Sequence, residues 1–172
     1  MQSIHFRPWH SQDATAFATA VNDSLDTLLP WMVWAHPYYS VEEAEDWIRY
    51  TQIVREKGEA DELAITDAHG ELLGGCGIRY PADRLCLPAI GYWVKTRAQR
   101  QGIATRAVHY LAEKGFSFPH VQTIEILAAA DNLASRQVAH RAGAEFIDTR
   151  YGLIILDKGP VNTAIYHLKR PT

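Results

Sequence analysis

Cysteine is scarce: two in 172 residues, Cys76 and Cys86, with no CxxC spacing between them. That excludes a disulfide framework and a thiolate metal clip, and leaves Cys76 to be read as a small buried filler. Eight histidines are scattered without an HExxH or a His-rich tract, so no metal is expected. An excess of one charge is missing too. Seventeen Lys and Arg face twenty Asp and Glu, a formal net charge of −3, which excludes a broad electrostatic footprint for nucleic acid or anionic lipid. Any anion must then be held by a local device. No apolar run reaches the roughly 18 residues of a membrane span, and MQSIHFRPW lacks the basic start and apolar stretch of a signal peptide. Neither a nucleic acid nor a membrane is an expected partner, and the expected location is cytoplasmic. Repeats and low-complexity linkers are absent as well, while 47% hydrophobic content suffices for one substantial core. Residues 1–172 read as a single domain.

What is present is well punctuated. IHFRPW (4–9) reads as a strand, and SQDATAFATAVNDSLDTLL as a helix running to Pro30. In SVEEAEDWIRYTQIVREKG, Ser40 and Glu43 form a capping box and Gly58 is placed to end the helix. ELAITD (62–67), the turn AHGE and ELLGGCGIRY (71–80) predict a hairpin, followed by the strand PAIGYWVK (88–95), in which Gly91 marks a bulge or a close backbone approach. A helix over 103–116, the strand TIEILAAA (123–130) and a helix capped by Asp131 or Asn132 and stopped by Gly143 come next. EFIDTRYGLIIL and TAIYHLKR, joined by DKGPVN, predict a closing hairpin. The sum is an α/β (α+β) chain with a mixed, mostly antiparallel sheet of about seven strands and helices on both faces.

QRQGIA (99–104) lies between a predicted strand and a predicted helix. Gly102 and the small Ala104 let backbone pass close to a guest, and the helix that follows points unpaired N–H groups outward, an arrangement suited to a phosphate. Taken alone, the same glycine is also compatible with an ordinary loop.

PWMVWA with EEAEDWI, then IGYWV, QRQGIATRAV, IEI and DNLASRQVAHRAGAEF, in this order and over nearly the whole chain, resemble the GCN5-related N-acetyltransferase (GNAT) superfamily, and within it the ribosomal-protein N-terminal acetyltransferase-like group. The resemblance implies a GNAT fold with a splay between the fourth and fifth strands and acetyl-CoA or CoA as cofactor. The acetyl-CoA signature Q/R-x-x-G-x-G/A is met by Gln99, Gly102 and Ala104. By resemblance, Gln99, Arg100, Gln101, Gly102, Ile103, Ala104 and Thr105 hold the pyrophosphate, the pantetheine arm pairs with backbone at Trp93, Val94 and Lys95, and Gly91 fits the widened edge. Arg97, Arg100 and Arg106 are auxiliary phosphate contacts or solvated charges.

The resemblance further places Asn132 on the pantetheine arm and Ser135 near the sulfur as a donor to the leaving thiolate; read from the residues alone they are a cap and a first-turn polar residue. A backbone N–H near Val94 serves the oxyanion. Relatives carry a Glu immediately before the IGYW-type motif where this chain has Ala89, and a tyrosine where it has Ala139. Glu125 matches an acidic position that serves as base in some relatives, and otherwise reads as a salt-bridged or solvent-facing strand residue; His36 and Tyr92 are reserves. The aromatic stretch with Trp31, Trp34, His36, Tyr38 and Tyr39, together with Tyr92, either packs in the core or shapes the acceptor pocket.

The expected activity is acetyl transfer from acetyl-CoA to a primary amine, the N-terminal α-amine of a protein or peptide. The alternatives are a small-molecule amine (amino acid, polyamine or antibiotic) or a non-catalytic acyl-CoA-binding module, with a nucleotide-binding module weaker for want of GxGxxG or a following Lys-Ser/Thr pair. A second copy of the chain, as a homodimer, is the further partner left open.

Overall fold

The computed structural model describes residues 2–83 and 85–172. A seven-stranded sheet runs in the order β1-β2-β3-β4-β5-β7-β6, antiparallel everywhere except between β4 and β5. The strands are β1 (Ile4–Pro8), β2 (Ala60–Asp67), β3 (Leu72–Arg79), β4 (Ala89–Val94), β5 (Thr123–Ala129), β6 (Glu145–Leu156) and β7 (Gly159–Lys169). The helices α1 (Ala14–Asn22), α2 (Leu25–Leu28) and α3 (Val41–Glu56) precede β2, while α4 (Ile103–Phe116) and α5 (Leu133–Arg141) flank β5 in sequence. This is the open, mixed α/β GNAT fold.

Alternation along each strand gives the sheet two apolar faces. Leu63, Ile65, Ile78, Ile90, Ile124 and Ile126 pack under Val108 and Leu111 of α4 and Ala139 of α5. Ala64 and Leu72 face the other way, into a second core with Trp9, just past β1, and with Phe17, Val21 and Ile48 from the N-terminal helices.

Local chemistry sets the ends of the elements. Ser40 Oγ accepts from Glu43 N–H at 3.0 Å, and Glu43 Oε2 accepts from Ser40 N–H at 2.8 Å, so the capping box forms, and Gly58 follows the helix at φ +70°. In the turn 68–71, Asp67 Oδ1 accepts from the N–H groups of His69 and Glu71.

Three sequence expectations need correction. The helix predicted through residue 29 is broken at Asp23–Ser24, because the buried Ser24 turns its Oγ to accept from Thr96 N–H at 3.0 Å and ties this turn to the end of β4. DKGPVN is not all loop: β7 starts at Gly159, and Pro160 is tolerated because β5 reaches β7 only from Thr163 onward, leaving no ladder bond for the missing N–H. Gly91 marks no bulge; β3 and β4 keep one register throughout, and a Cβ at Gly91 would meet nothing within 4 Å.

Candidate active site

β4 and β5 stay together for only two residue pairs, Ala89 with Glu125 and Ile90 with Ile126, and then diverge. Lys95 N–H donates to Leu73 O of β3 at 2.8 Å, so strand alternation turns the N–H and C=O groups of Tyr92 and Val94 the other way, into the gap. Gln99 Nε2 donates to Val94 O at 3.0 Å, which fixes the loop 99–102 against the end of the strand. Helix α4 then starts with Gly102 as its N-cap at φ +75°, and no side chain caps its first turn. A widened strand edge beside an uncapped helix N-terminus fits an extended acyl carrier with a phosphate behind it. Arg100 is exposed at φ +62°, whereas Arg106 is drawn off to Gln2 O at 2.7 Å.

A cavity of about 440 Å³ passes through the gap from one face of the sheet to the other. On the α5 side, Asn132 Oδ1 accepts from Ser135 N–H at 3.3 Å, the capping role open to it from sequence. Tyr92 Oη donates to Ser135 O at 2.9 Å and lies 3.2 Å from Ser135 Oγ, so a phenol and a hydroxyl meet where the gap opens. Burial pushes the Tyr92 phenol up to about 12, with the Ser135 hydrogen bond acting in the opposite direction, and it remains neutral through the physiological range.

On the other face the walls are aromatic. Phe17, Trp34 and Trp93 touch pairwise with ring centroids 5.6 to 5.9 Å apart, and Tyr39 packs on Phe17 at 5.7 Å. Trp31, Trp34, Trp93 and Tyr92 all line the cavity; Trp31 belongs to the wall and not to either core. His36 does not line it. Both its ring nitrogens are engaged, with Pro37 O at 2.8 Å and Glu43 Oε1 at 2.7 Å, and these two partners raise its pKa. Glu125 sits opposite Ala89 at the closed end of the gap, and the cavity wall on β5 begins two residues later, at Leu127.

The carboxylate that does line the cavity is Glu62 of β2, a residue with no role in the sequence reading. Register aligns Glu62 with Gly77 of β3 and Gly77 with Gly91 of β4. With no side chain on either neighbour, the Glu62 side chain lies flat across β3, so that a Cβ at Gly77 would coincide with its carboxylate. The adjacent row is Ala64, Gly75 and Trp93, and the Trp93 indole covers Gly75, where a Cβ would stand 2.6 Å from Nε1. GGCG therefore spells a flat floor, legible as several glycines inside one strand. Among described residues no cluster of His, Cys, Asp or Glu could hold a metal ion, and no helix is long and apolar enough to cross a membrane.

Residues 3–145 match the family model of the acetyltransferase (GNAT) domain. Among solved structures the chain is similar to the acetyl transferase from Salmonella typhimurium that modifies the N-terminal serine of the 50S ribosomal subunit protein L7/L12, with 19% identity, 99% of this chain and 97% of that chain covered, and a TM-score of 0.86. RimL, a ribosomal L7/L12 alpha-N-protein acetyltransferase in complex with coenzyme A, is similar at 20% identity, 98% and 95% coverage and a TM-score of 0.85. The microcin C7 self-immunity acetyltransferase MccE, in complex with acetyl-CoA and AMP, gives 20%, 97% and 92%, and a TM-score of 0.89. No curated protein matches the sequence.

Proposed function

The chain belongs to the GNAT acetyltransferase family and is an N-acetyltransferase that uses acetyl-CoA, and from that premise we propose that its acceptor is the α-amine at the start of a peptide or protein. The observation that carries this reading is the cavity through the β4–β5 gap, which brings an aromatic pocket on one face to the Tyr92–Ser135 pair on the other. Acetyl-CoA supplies an activated acyl carbon and a thiolate leaving group. The N–H groups at the start of α4 and the loop 99–105 bind its pyrophosphate, and the gap edge of β4 holds the extended arm. Val94 N–H, aimed into the gap, is placed for the carbonyl oxygen as charge develops on it. Ser135 Oγ and Tyr92 Oη receive the departing sulfur, and Asn132 holds Ser135 at the first turn of α5. The single domain 1–172 carries all of these parts.

The proteins modified by the Salmonella and RimL neighbours support an N-terminal acceptor for this chain as well. Proton chemistry favours the same choice: an α-amine of pKa about 7.7–8.0 is neutral in roughly one molecule in ten at pH 7, an ε-amine near 10.4 in only a few per ten thousand. A small amine with a planar group is the second reading, favoured by the aromatic walls.

The test is kcat/KM against pH for two short peptides with acetyl-CoA, one with a free N-terminus and no lysine, the other N-blocked with a single lysine. The free N-terminus is expected to be preferred at least tenfold near neutral pH, an order-of-magnitude figure from those amine pKa values. A preference for the lysine peptide would overturn the assignment.

A further inference from the structure

We propose that Glu62 of β2 takes the proton from the acceptor amine, reaching the reaction across the Gly77–Gly91 row in place of the carboxylate that Ala89 cannot supply. This rests on the acetyl-transfer reading above. Glu62 is 9% exposed, and a buried carboxylate needs partners for several lone pairs. Its side chain has one, Arg79 Nε at 3.4 Å, from an arginine whose own side chain is 72% exposed. Beside it lie the glycine floor of β3 and the aromatic wall of the cavity. An ammonium entering this pocket meets the carboxylate beside the indoles of Trp34 and Trp93, the ring type that attracts a cation most strongly.

Strand spacing of roughly 4.8 Å sets the reach. Glu62 lies two strands from β4, and a glutamate laid over Gly77 covers about half the distance to Gly91, where the gap begins, leaving roughly one strand spacing for the acceptor amine to span. Glu125 lacks this placement, since the cavity wall on its strand starts at Leu127. The charged and titratable groups near Glu62 are Arg79 and the Cys76 thiol on β3, its neighbour Asp61, and Arg55 of α3, which is bound to Asp61 at 2.7 Å and to Glu62 O at 3.1 Å. Burial, the largest influence, raises the Glu62 carboxyl above the usual range, with Arg79 pulling it back, and a carboxylate so raised is a better base than an exposed one.

The ammonium gives one proton to Glu62, and its freed lone pair forms the N–C bond to the acyl carbon while the C–S bond breaks. The second proton on nitrogen leaves with the sulfur by way of Ser135 and Tyr92. Glu62 returns its proton to solvent, so ammonium and thioester become amide, thiol and one released proton.

Glu62→Gln keeps the shape and removes the base. It is expected to bind acetyl-CoA as the native enzyme does, to melt no lower at pH 7, and to lose about a hundredfold in kcat/KM, the low end of general-base effects. Its acid limb should move to the substrate's own pKa, tracking it across two amines that differ by about one unit, whereas the native limb stays fixed. Gly77→Ala, in which the new methyl displaces the carboxylate, should reproduce the same movement, and Glu125→Gln should not. The comparison is run on whichever amine the native enzyme acetylates, so failure of the peptide reading leaves it intact. A native rate and limb in Glu62→Gln, or a moved limb in Glu125→Gln alone, overturns the proposal.

Discussion

Ser135 holds two positions in one hydrogen-bonded group, because Tyr92 Oη reaches both its carbonyl and its hydroxyl. Removing the hydroxyl leaves the 2.9 Å bond to the carbonyl in place, so Ser135→Ala should isolate the effect of one donor without moving the tyrosine. Turnover should fall roughly tenfold to a hundredfold, at or below the ~10²–10³ typical of a lost oxyanion donor, since a thiolate of pKa about 8.5 is already a fair leaving group. Cofactor affinity should be unchanged, because the donor matters mainly in the transition state. Single-turnover rates and an acetyl-CoA titration check both halves; an unchanged rate with chemistry limiting would leave Ser135 a first-turn helix residue.

At the scale of elements, the loop and first turn of α4 combine a backbone requirement with a binding one. Gly102 sits at φ +75°, and a Cβ placed there would have nothing within 4 Å, so Gly102→Val costs through backbone conformation and not through a clash inside the protein, about 1–2 kcal/mol. Native protein at a hundredfold excess of CoA over its dissociation constant should gain about 2.7 kcal/mol, a rise in Tm of roughly 5–11 °C for a chain of this size. In Gly102→Val most of that rise should vanish; a full CoA shift in the variant would separate the loop from the cofactor. The start of α4 was readable in the sequence because Gly102 stands just before a run of apolar residues at helical spacing, and the capping box at Ser40 was readable because both partners lie within one turn. Glu62 was not readable. Its place depends on which residues of β3 and β4 stand beside it, and register between strands is settled by the whole sheet, not by any local stretch. His36 stood beside two tryptophans in sequence and faced elsewhere in space for a different, local reason: Glu43, seven residues on, took its ring.

Across the whole molecule, three of eight tyrosines, Tyr39, Tyr80 and Tyr92, have phenols pushed up to about 12 chiefly by burial. Unfolded, they ionise near 10. Between those values the folded chain keeps protons that the unfolded chain has lost, so stability is intact below pH about 10 and declines as pH rises toward 12. Tyrosinate absorbance against pH should show these three lagging in native protein and not in denaturant; coincident curves would contradict it. The same overall view gives the parting of β4 from β5 a further meaning. Two residue pairs join a half-sheet of four strands to one of three, and past them β4 carries open backbone groups. On an outer edge, such a row invites other chains to add themselves and aggregate. Enclosed between two halves of one sheet, it offers no free side along which a stray strand could lie, so a shape suited to a thin, unbranched carrier arm is one that side-chain-bearing strands cannot enter.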